Sequence, residues 1–186
     1  MAQVLVSFVF LFSFLHAEFK VSSLKEIKYK DVISQSYEES CGASAMASLF
    51  NMYGLQTQEK EIIKDLNTTD TVNFLDLQKI ALKNDFRAKG YKITEEIFEQ
   101  LSIPVIARIL RKKDYPHFVV AQNFKGDFVL ILDPNNGKFL VSKREFYSSW
   151  IGEDSNYILV VVPNKKLVLK DIDFLDMGKI DYFKDS

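Results

Sequence analysis

The chain has 186 residues, enough for one domain with its own core and short for two. With 24 Lys plus Arg against 25 Asp plus Glu it is nearly neutral, which argues against nucleic acid or an anionic membrane surface as a partner. One cysteine excludes an internal disulfide, and with two histidines it leaves too few ligands for a zinc site, so no metal or cofactor is expected.

Residues 1–15 (MAQVLVSFVFLFSFL) carry no charged side chain, and Leu15-His16-Ala17 precedes Glu18. The apolar run is shorter than the ~20 residues that span a bilayer and ends at a small residue, which predicts a signal peptide over residues 1–17. An uncleaved anchor or a buried strand are the other readings of the run. A signal peptide implies an exported protein, periplasmic or secreted, with no stable membrane span after cleavage. The one cysteine is then a free thiol in an oxidising compartment. His16 leaves with the signal peptide, so any Cys–His chemistry has to use Cys41 and His117.

Residues 18–40 are polar and mixed, and predict an extended leading segment. Residues 41–53 (CGASAMASLFNMY) have Ala43, Ala45, Met46, Leu49, Phe50 and Tyr53 at helical spacing, with Gly54 as a stop. Thr57 caps a second predicted helix to Leu66, with Glu59 and Glu61 in its first turn. Residues 74–83 (FLDLQKIALK) predict a third, and Thr94 opens a fourth that ends before Pro104. From Pro104 the pattern changes to short apolar runs at 105–110, 118–121, 128–132, 138–141 and 157–162, separated by Lys125-Gly126-Asp127 and Asp133-Pro134-Asn135-Asn136-Gly137. Helices followed by strands predict an α+β fold, an N-terminal helical layer packed on a C-terminal antiparallel β-sheet. That domain is expected over residues 18–163. Residues 164–186 alternate charge and hydrophobicity without a period and are left as a tail.

The segment Gln35-Ser36-Tyr37-Glu38-Glu39-Ser40-Cys41-Gly42 is the most specific in the chain. A cysteine opening a helix meets unpaired N–H groups and the positive end of the helix dipole, both of which favour a thiolate. Gly42 behind it would let a substrate backbone approach. Gln35 stands where its amide could return to Cys41 and, with the Cys41 N–H, donate to an oxyanion; taken alone it reads as an exposed polar residue. A hairpin centred on Lys125 would set His117 opposite Asp133, able to accept the imidazole Nδ1 proton. Asp133-Pro134 is equally a common way to begin a turn.

In these residues the chain resembles the C39 peptidases, papain-like domains that cleave leader peptides after a double glycine. The resemblance is carried by Gln35, by Cys41-Gly42-Ala43 and its helix to Tyr53-Gly54, and by Pro104-Val105-Ile106-Ala107. His117-Phe118-Val119-Val120, Asp133-Pro134 with Gly137, and Phe146 with Trp150-Ile151-Gly152 complete it. It implies a papain-like fold with Cys41 as nucleophile, His117 as base and then acid, Asp133 orienting His117, and Gln35 in the oxyanion hole. Ser40 departs from the acidic residue usual before the cysteine. The expected protein is a stand-alone exported cysteine peptidase acting on extended peptide segments, such as leader peptides cut after small residues, with an export system as a possible partner. A non-catalytic peptide-binding module, or a cysteine amidase acting on a non-peptide amide, are the alternatives.

Three further features have plainer readings. Asn67-Thr68-Thr69 fits a glycosylation sequon, though Asn67 as a helix end explains it more simply. Phe146, Tyr147 and Trp150 would either line a groove or close the core, the core being the usual place. Arg111-Lys112-Lys113-Asp114 reads as a solvated basic loop that could steer an acidic substrate.

Overall fold

The computed structural model describes residues 22–112, 115–150 and 156–165; the expected signal segment, Lys113-Asp114, Ile151-Gly152 and residues 166–186 of the tail lie outside them. In chain order come α1 (Leu24–Tyr29), a 3-10 turn (Glu38–Ser40), α2 (Cys41–Met52), α3 (Glu59–Leu66) and α4 (Phe74–Lys83). They are followed by β1 (Phe86–Lys92), α5 (Glu95–Glu99), β2 (Val105–Lys112), β3 (Tyr115–Phe124), β4 (Phe128–Asp133), β5 (Gly137–Ser142), α6 (Lys143–Trp150) and β6 (Tyr157–Pro163). The strands make one sheet in the order β1-β6-β2-β3-β4-β5, with every pairing antiparallel.

This is the expected α+β architecture, with two additions ahead of the main sheet. α1 interrupts the segment read as extended, and β1 stands among the helices. β1 (FRAKGYK) is an edge strand with only Phe86 and Ala88 buried, so its charged, Gly-containing sequence gives little strand signal.

α2 is the centre of the helical layer. Every residue from Cys41 to Met52 except Asn51 is buried, and the run of Gly, Ala and Ser keeps its surface slim enough to lie closely on the sheet. Gly42 is required by packing: a Cβ there would run into Val72 Cγ2 and come within 3.2 Å of Phe118. Its space is therefore occupied by the protein's own side chains and not held open for a substrate backbone. α2 ends where Gly54 takes a positive φ of 88°.

α3 starts one residue later than the Thr57 cap predicts. Gln58 is the N-cap, and Glu61 reaches back to the Gln58 N–H at 3.0 Å. Asn67 ends the helix in a left-handed conformation, φ 53°. Thr94 caps α5 as expected, accepting from the Ile97 N–H at 3.4 Å.

The sheet is buried on both faces. Ile106, Phe118, Val120, Leu130, Leu132, Leu159 and Val161 pack under α2, α3 and α4. The alternate residues Val105, Ala107, Val119, Ala121, Val129, Ile131 and Ile158 meet Phe98 of α5 and Phe146, Tyr147 and Trp150 of α6. A strand covered on both sides needs no polar alternation, which is why the sequence shows continuous apolar runs. The aromatic residues of α6 thus close the second core. Trp150 is 0 % exposed, its ring centroid is 5.3 Å from those of Phe98 and Phe146, and its Nε1–H donates to the Tyr157 carbonyl at 3.3 Å.

Trp150→Ala is expected to lower the unfolding free energy by about 3–5 kcal/mol. Urea unfolding followed by circular dichroism measures it, and Trp150→Phe should cost distinctly less because it retains ring contacts.

Candidate active site

Cys41 is the first residue of α2 and is 4 % exposed. The 3-10 turn before it carries the chain sharply into the helix. Ser40, at the N-cap position, makes no side-chain cap. Its Oγ instead donates to the Tyr37 carbonyl at 2.7 Å and accepts from the Tyr37 N–H at 3.3 Å. The first N–H groups of α2, at the cysteine's end, are thus not taken up by the residue before it.

His117 lies on β3, 7 % exposed, with Nε2 2.7 Å from Asp133 Oδ1. The two residues meet differently from the sequence expectation. The β3–β4 ladder runs from Phe124 opposite Phe128 to Val120 opposite Leu132, so the hairpin is centred on Gly126 and not on Lys125. Moving the centre by one residue moves each partner by two, and because side chains alternate with period two the sidedness survives. His117 and Asp133 lie beyond the last rung, where the side chains themselves close the gap.

The nitrogen also differs. Nε2, not Nδ1, faces the carboxylate. Cys41 acts on the ring as well, helping after Asp133 to raise its pKa, and with Nε2 committed to Asp133, Nδ1 is the nitrogen left to face the sulfur. Burial pulls the imidazole toward neutrality, but the bonds and charges of Asp133 and then Cys41 outweigh it and raise His117 from its ordinary value to about 9. At neutral pH the ring is a cation.

Asp133 ends β4 and is 2 % exposed. Its Oδ1 also accepts from the N–H groups of Asn135 at 2.8 Å and Asn136 at 3.2 Å, and Oδ2 accepts from Asn136 Nδ2 at 2.9 Å. The residue is therefore both the turn-former and the partner of His117.

Gln35 is joined to the same corner through its backbone, whose N–H donates to the Pro134 carbonyl at 3.0 Å. Its side-chain Nε2 donates to the Tyr37 carbonyl at 3.1 Å, which uses one of its two amide protons, and Oε1 is buried with no hydrogen-bond partner among the described residues.

Sequence reasoning missed the residues that brace this corner. Tyr29 of α1 donates its hydroxyl to the Asn135 carbonyl at 2.5 Å, and Asp31 pairs with Lys138 Nζ at 2.5 Å. Gly137, at φ 81°, lies so close to Lys28 that a Cβ would meet its backbone. The available signals were Gly137 itself and the pattern Ser23-Leu24-Lys25-Glu26, whose capping box starts α1.

The peptidase C39 family model matches residues 29–166 of the chain. The protein named "Probable functional amyloid protease FapD" of Pseudomonas fluorescens is 32% identical over 142 residues, 72% of this chain and 62% of that protein. The lactococcin-G-processing and transport ATP-binding protein LagD of Lactococcus lactis subsp. lactis is 30% identical over 127 residues, 66% of this chain and 18% of its own length. The chain thus spans 62% of the length of FapD and 18% of LagD. Among solved structures, a double glycine motif protease from an AMS/PCAT transporter in complex with its leader peptide has a TM-score of 0.61 at 28% identity, covering 71% of this chain and 90% of that one. The peptidase domain of Streptococcus ComA, at 22% identity and a TM-score of 0.63 over 71% of this chain and 97% of its own, shares the fold.

By proton NMR the His117 imidazole is expected to titrate with a midpoint near the raised value of about 9. Asp133→Asn should bring that midpoint down by at least about one unit. A wild-type midpoint at the ordinary histidine value of ~6.5 would show that the ring is not held by the carboxylate.

Proposed function

The chain belongs to the peptidase C39 family, and we propose that it is a cysteine peptidase with Cys41 as nucleophile and His117 as its acid–base partner. In the same reading Asp133 orients His117, and Gln35 with the Cys41 N–H stabilises the oxyanion. One observation carries it: the His117 ring is held by Asp133 at 2.7 Å, and Cys41, the opening residue of α2, is near enough to help raise the pKa of the same ring.

The chemistry follows from that arrangement. A cationic imidazole beside Cys41 stabilises the sulfur as a thiolate, which attacks a peptide carbonyl carbon. The developing oxyanion meets the Cys41 N–H and the remaining Gln35 amide proton. His117 then gives its proton to the leaving amine as the C–N bond breaks, leaving a thioester. Neutral His117 takes a proton from water, the resulting hydroxide cleaves the thioester, and thiolate and imidazolium are restored. Asp133 stays ionised throughout and holds the ring.

The proposed substrate is an extended peptide segment with small residues before the cleaved bond, Gly-Gly first among them. Similarity to a double glycine motif protease with bound leader peptide, at 28% identity, supports this choice. Similarity to FapD and to LagD supports a protein or leader-peptide substrate handled by an export system. The enzyme is proposed to act outside the cytoplasm, in the periplasm or secreted, on the strength of the apolar segment at residues 1–15. No helix among the described residues is long and apolar enough to cross a membrane.

The test is the pH dependence of Cys41 alkylation by iodoacetamide, paired with cleavage of Gly-Gly peptides. Alkylation is expected to stay fast well below the ordinary thiol pKa of ~8.5 and to slow in His117→Ala. Cleavage should vanish in Cys41→Ala and fall by about 10²–10⁴-fold in His117→Ala. For wild type it should decline as pH rises through about 9, where His117 loses the proton it must donate. A thiol that reacts only at alkaline pH, with or without His117, would make Cys41 structural and leave a peptide-binding module in place of the enzyme.

A further inference from the structure

Glu59 is the first residue of α3, yet it is turned inward and only 7 % exposed. A carboxylate so buried is tolerable only when its oxygens are occupied by donors. Its Oε1 accepts from the Ser36 N–H at 2.8 Å and from Ser44 Oγ at 3.0 Å, and Oε2 accepts from Ser36 Oγ. Burial pushes the carboxyl up, but the serine hydroxyls and the Ser36 N–H around it outweigh that and hold it below the ordinary carboxylate value, so the group is an anion.

The donors are not scattered. Ser36 directly follows Gln35, and Ser44 lies one turn into α2, three residues after Cys41. A single carboxylate therefore ties the start of the stretch from Gln35 to Cys41 to the helix that Cys41 opens. A carboxylate in the first turn of a helix ordinarily serves its own N–H groups. In α3 that service falls to Glu61, which returns to the Gln58 N–H, and Glu59 crosses to another element. Its own helix does not require it.

We propose that Glu59 is a positioning residue for the nucleophile loop, fixing the path of Gln35–Cys41 so that the thiol and the oxyanion donor keep their places. This rests on the peptidase reading above. Glu59 touches no substrate in this role; it acts through Ser36 and Ser44. A loop freed from it would leave Cys41 misaligned with His117 while the two apolar cores stay intact.

Full-length wild type, Glu59→Gln, Glu59→Ala and, as control, Glu61→Gln are compared by iodoacetamide alkylation of Cys41 at pH 6. The temperature is one at which circular dichroism finds each protein folded. Glu59→Ala is expected to slow alkylation by about 10-fold or more, Glu59→Gln by less, and Glu61→Gln not at all. Gln keeps the side-chain volume and supplies the comparison if the Ala variant fails to fold. On a fluorogenic Gly-Gly peptide, kcat per folded enzyme, with the folded fraction taken from circular dichroism, should fall in the Glu59 variants; an unfolded fraction alone would leave that value at the wild-type level. If wild type reacts fast and both Glu59 variants match it, this inference is overturned and the peptidase reading stands. If wild type itself reacts no faster than free cysteine at pH 6, both are overturned.

Discussion

Asp133 is a carboxylate at the end of an apolar strand, 2 % exposed, and the surrounding structure has to make that tolerable. His117 supplies a cation at 2.7 Å, and the turn that follows supplies backbone N–H groups from Asn135 and Asn136 and the Asn136 amide. To present those donors the chain must reverse at once, which Gly137 permits with its φ of 81°. Having no Cβ, Gly137 also lets the backbone of Lys28 lie against the turn. Tyr29 and Gln35 then take the carbonyls of Asn135 and Pro134. The segment before α2 is thus ordered by the turn, and it delivers Gln35 to the same corner as His117. Burial of one charge organises three separate stretches of chain.

Most of this fold was legible because its causes are local. α2 and α4 follow from helical spacing of apolar residues, and the strands of the main sheet follow from dense Val, Ile, Leu and Phe between turn signals. What escaped had no burial to advertise it. α1 buries none of its six residues and is held by its capping box and by contacts to the β4–β5 turn. β1 is an edge strand with five of its seven positions exposed, so its sequence is that of a surface segment. The second helical face escaped for the opposite reason. Continuous apolar strands reveal that both faces are covered only once the sheet order is known, and α6, with Phe146, Tyr147 and Trp150, supplies the cover.

The site was legible in its members and less so in its geometry. His117 and Asp133 meet at 2.7 Å, and an error of one residue in the hairpin centre left these two on compatible sides. That tolerance comes from the period of two in a strand: a shift by two positions is harmless where a shift by one would not be. The ring nitrogen could not be read at all. Whether Nε2 or Nδ1 meets the carboxylate depends on the ring's orientation across a gap beyond the ladder, and nothing in the spacing encodes it. Gly42 shows a different limit. Its position beside the nucleophile suggested room for a substrate, whereas Val72 and Phe118 already fill the space a Cβ would need.

The departure at Ser40 gains a physical meaning from this arrangement. An acid immediately before Cys41 would set a negative charge on the loop itself, at the mouth of α2. Here the residue before Cys41 is a neutral hydroxyl, buried at 3 % exposure, that bonds the Tyr37 backbone. The negative charge belongs to Glu59, one helix away, and is surrounded by hydroxyls and an N–H group. Asp133 is treated the same way on the opposite side, with its charge covered by turn donors and by His117. The carboxylates are thus anchored in separate elements, α3 and β4, and each is satisfied before the reaction begins. His117 is the cation bonded to Asp133 through Nε2, which leaves Nδ1 for the Cys41 side while the Asp133 side stays fixed. A polar seam of this kind, with each group already bonded, resists rearrangement because moving any one member leaves another buried and unpaired. Such rigidity suits the acyl-transfer chemistry proposed for the site, in which groups must keep their positions while a single proton moves.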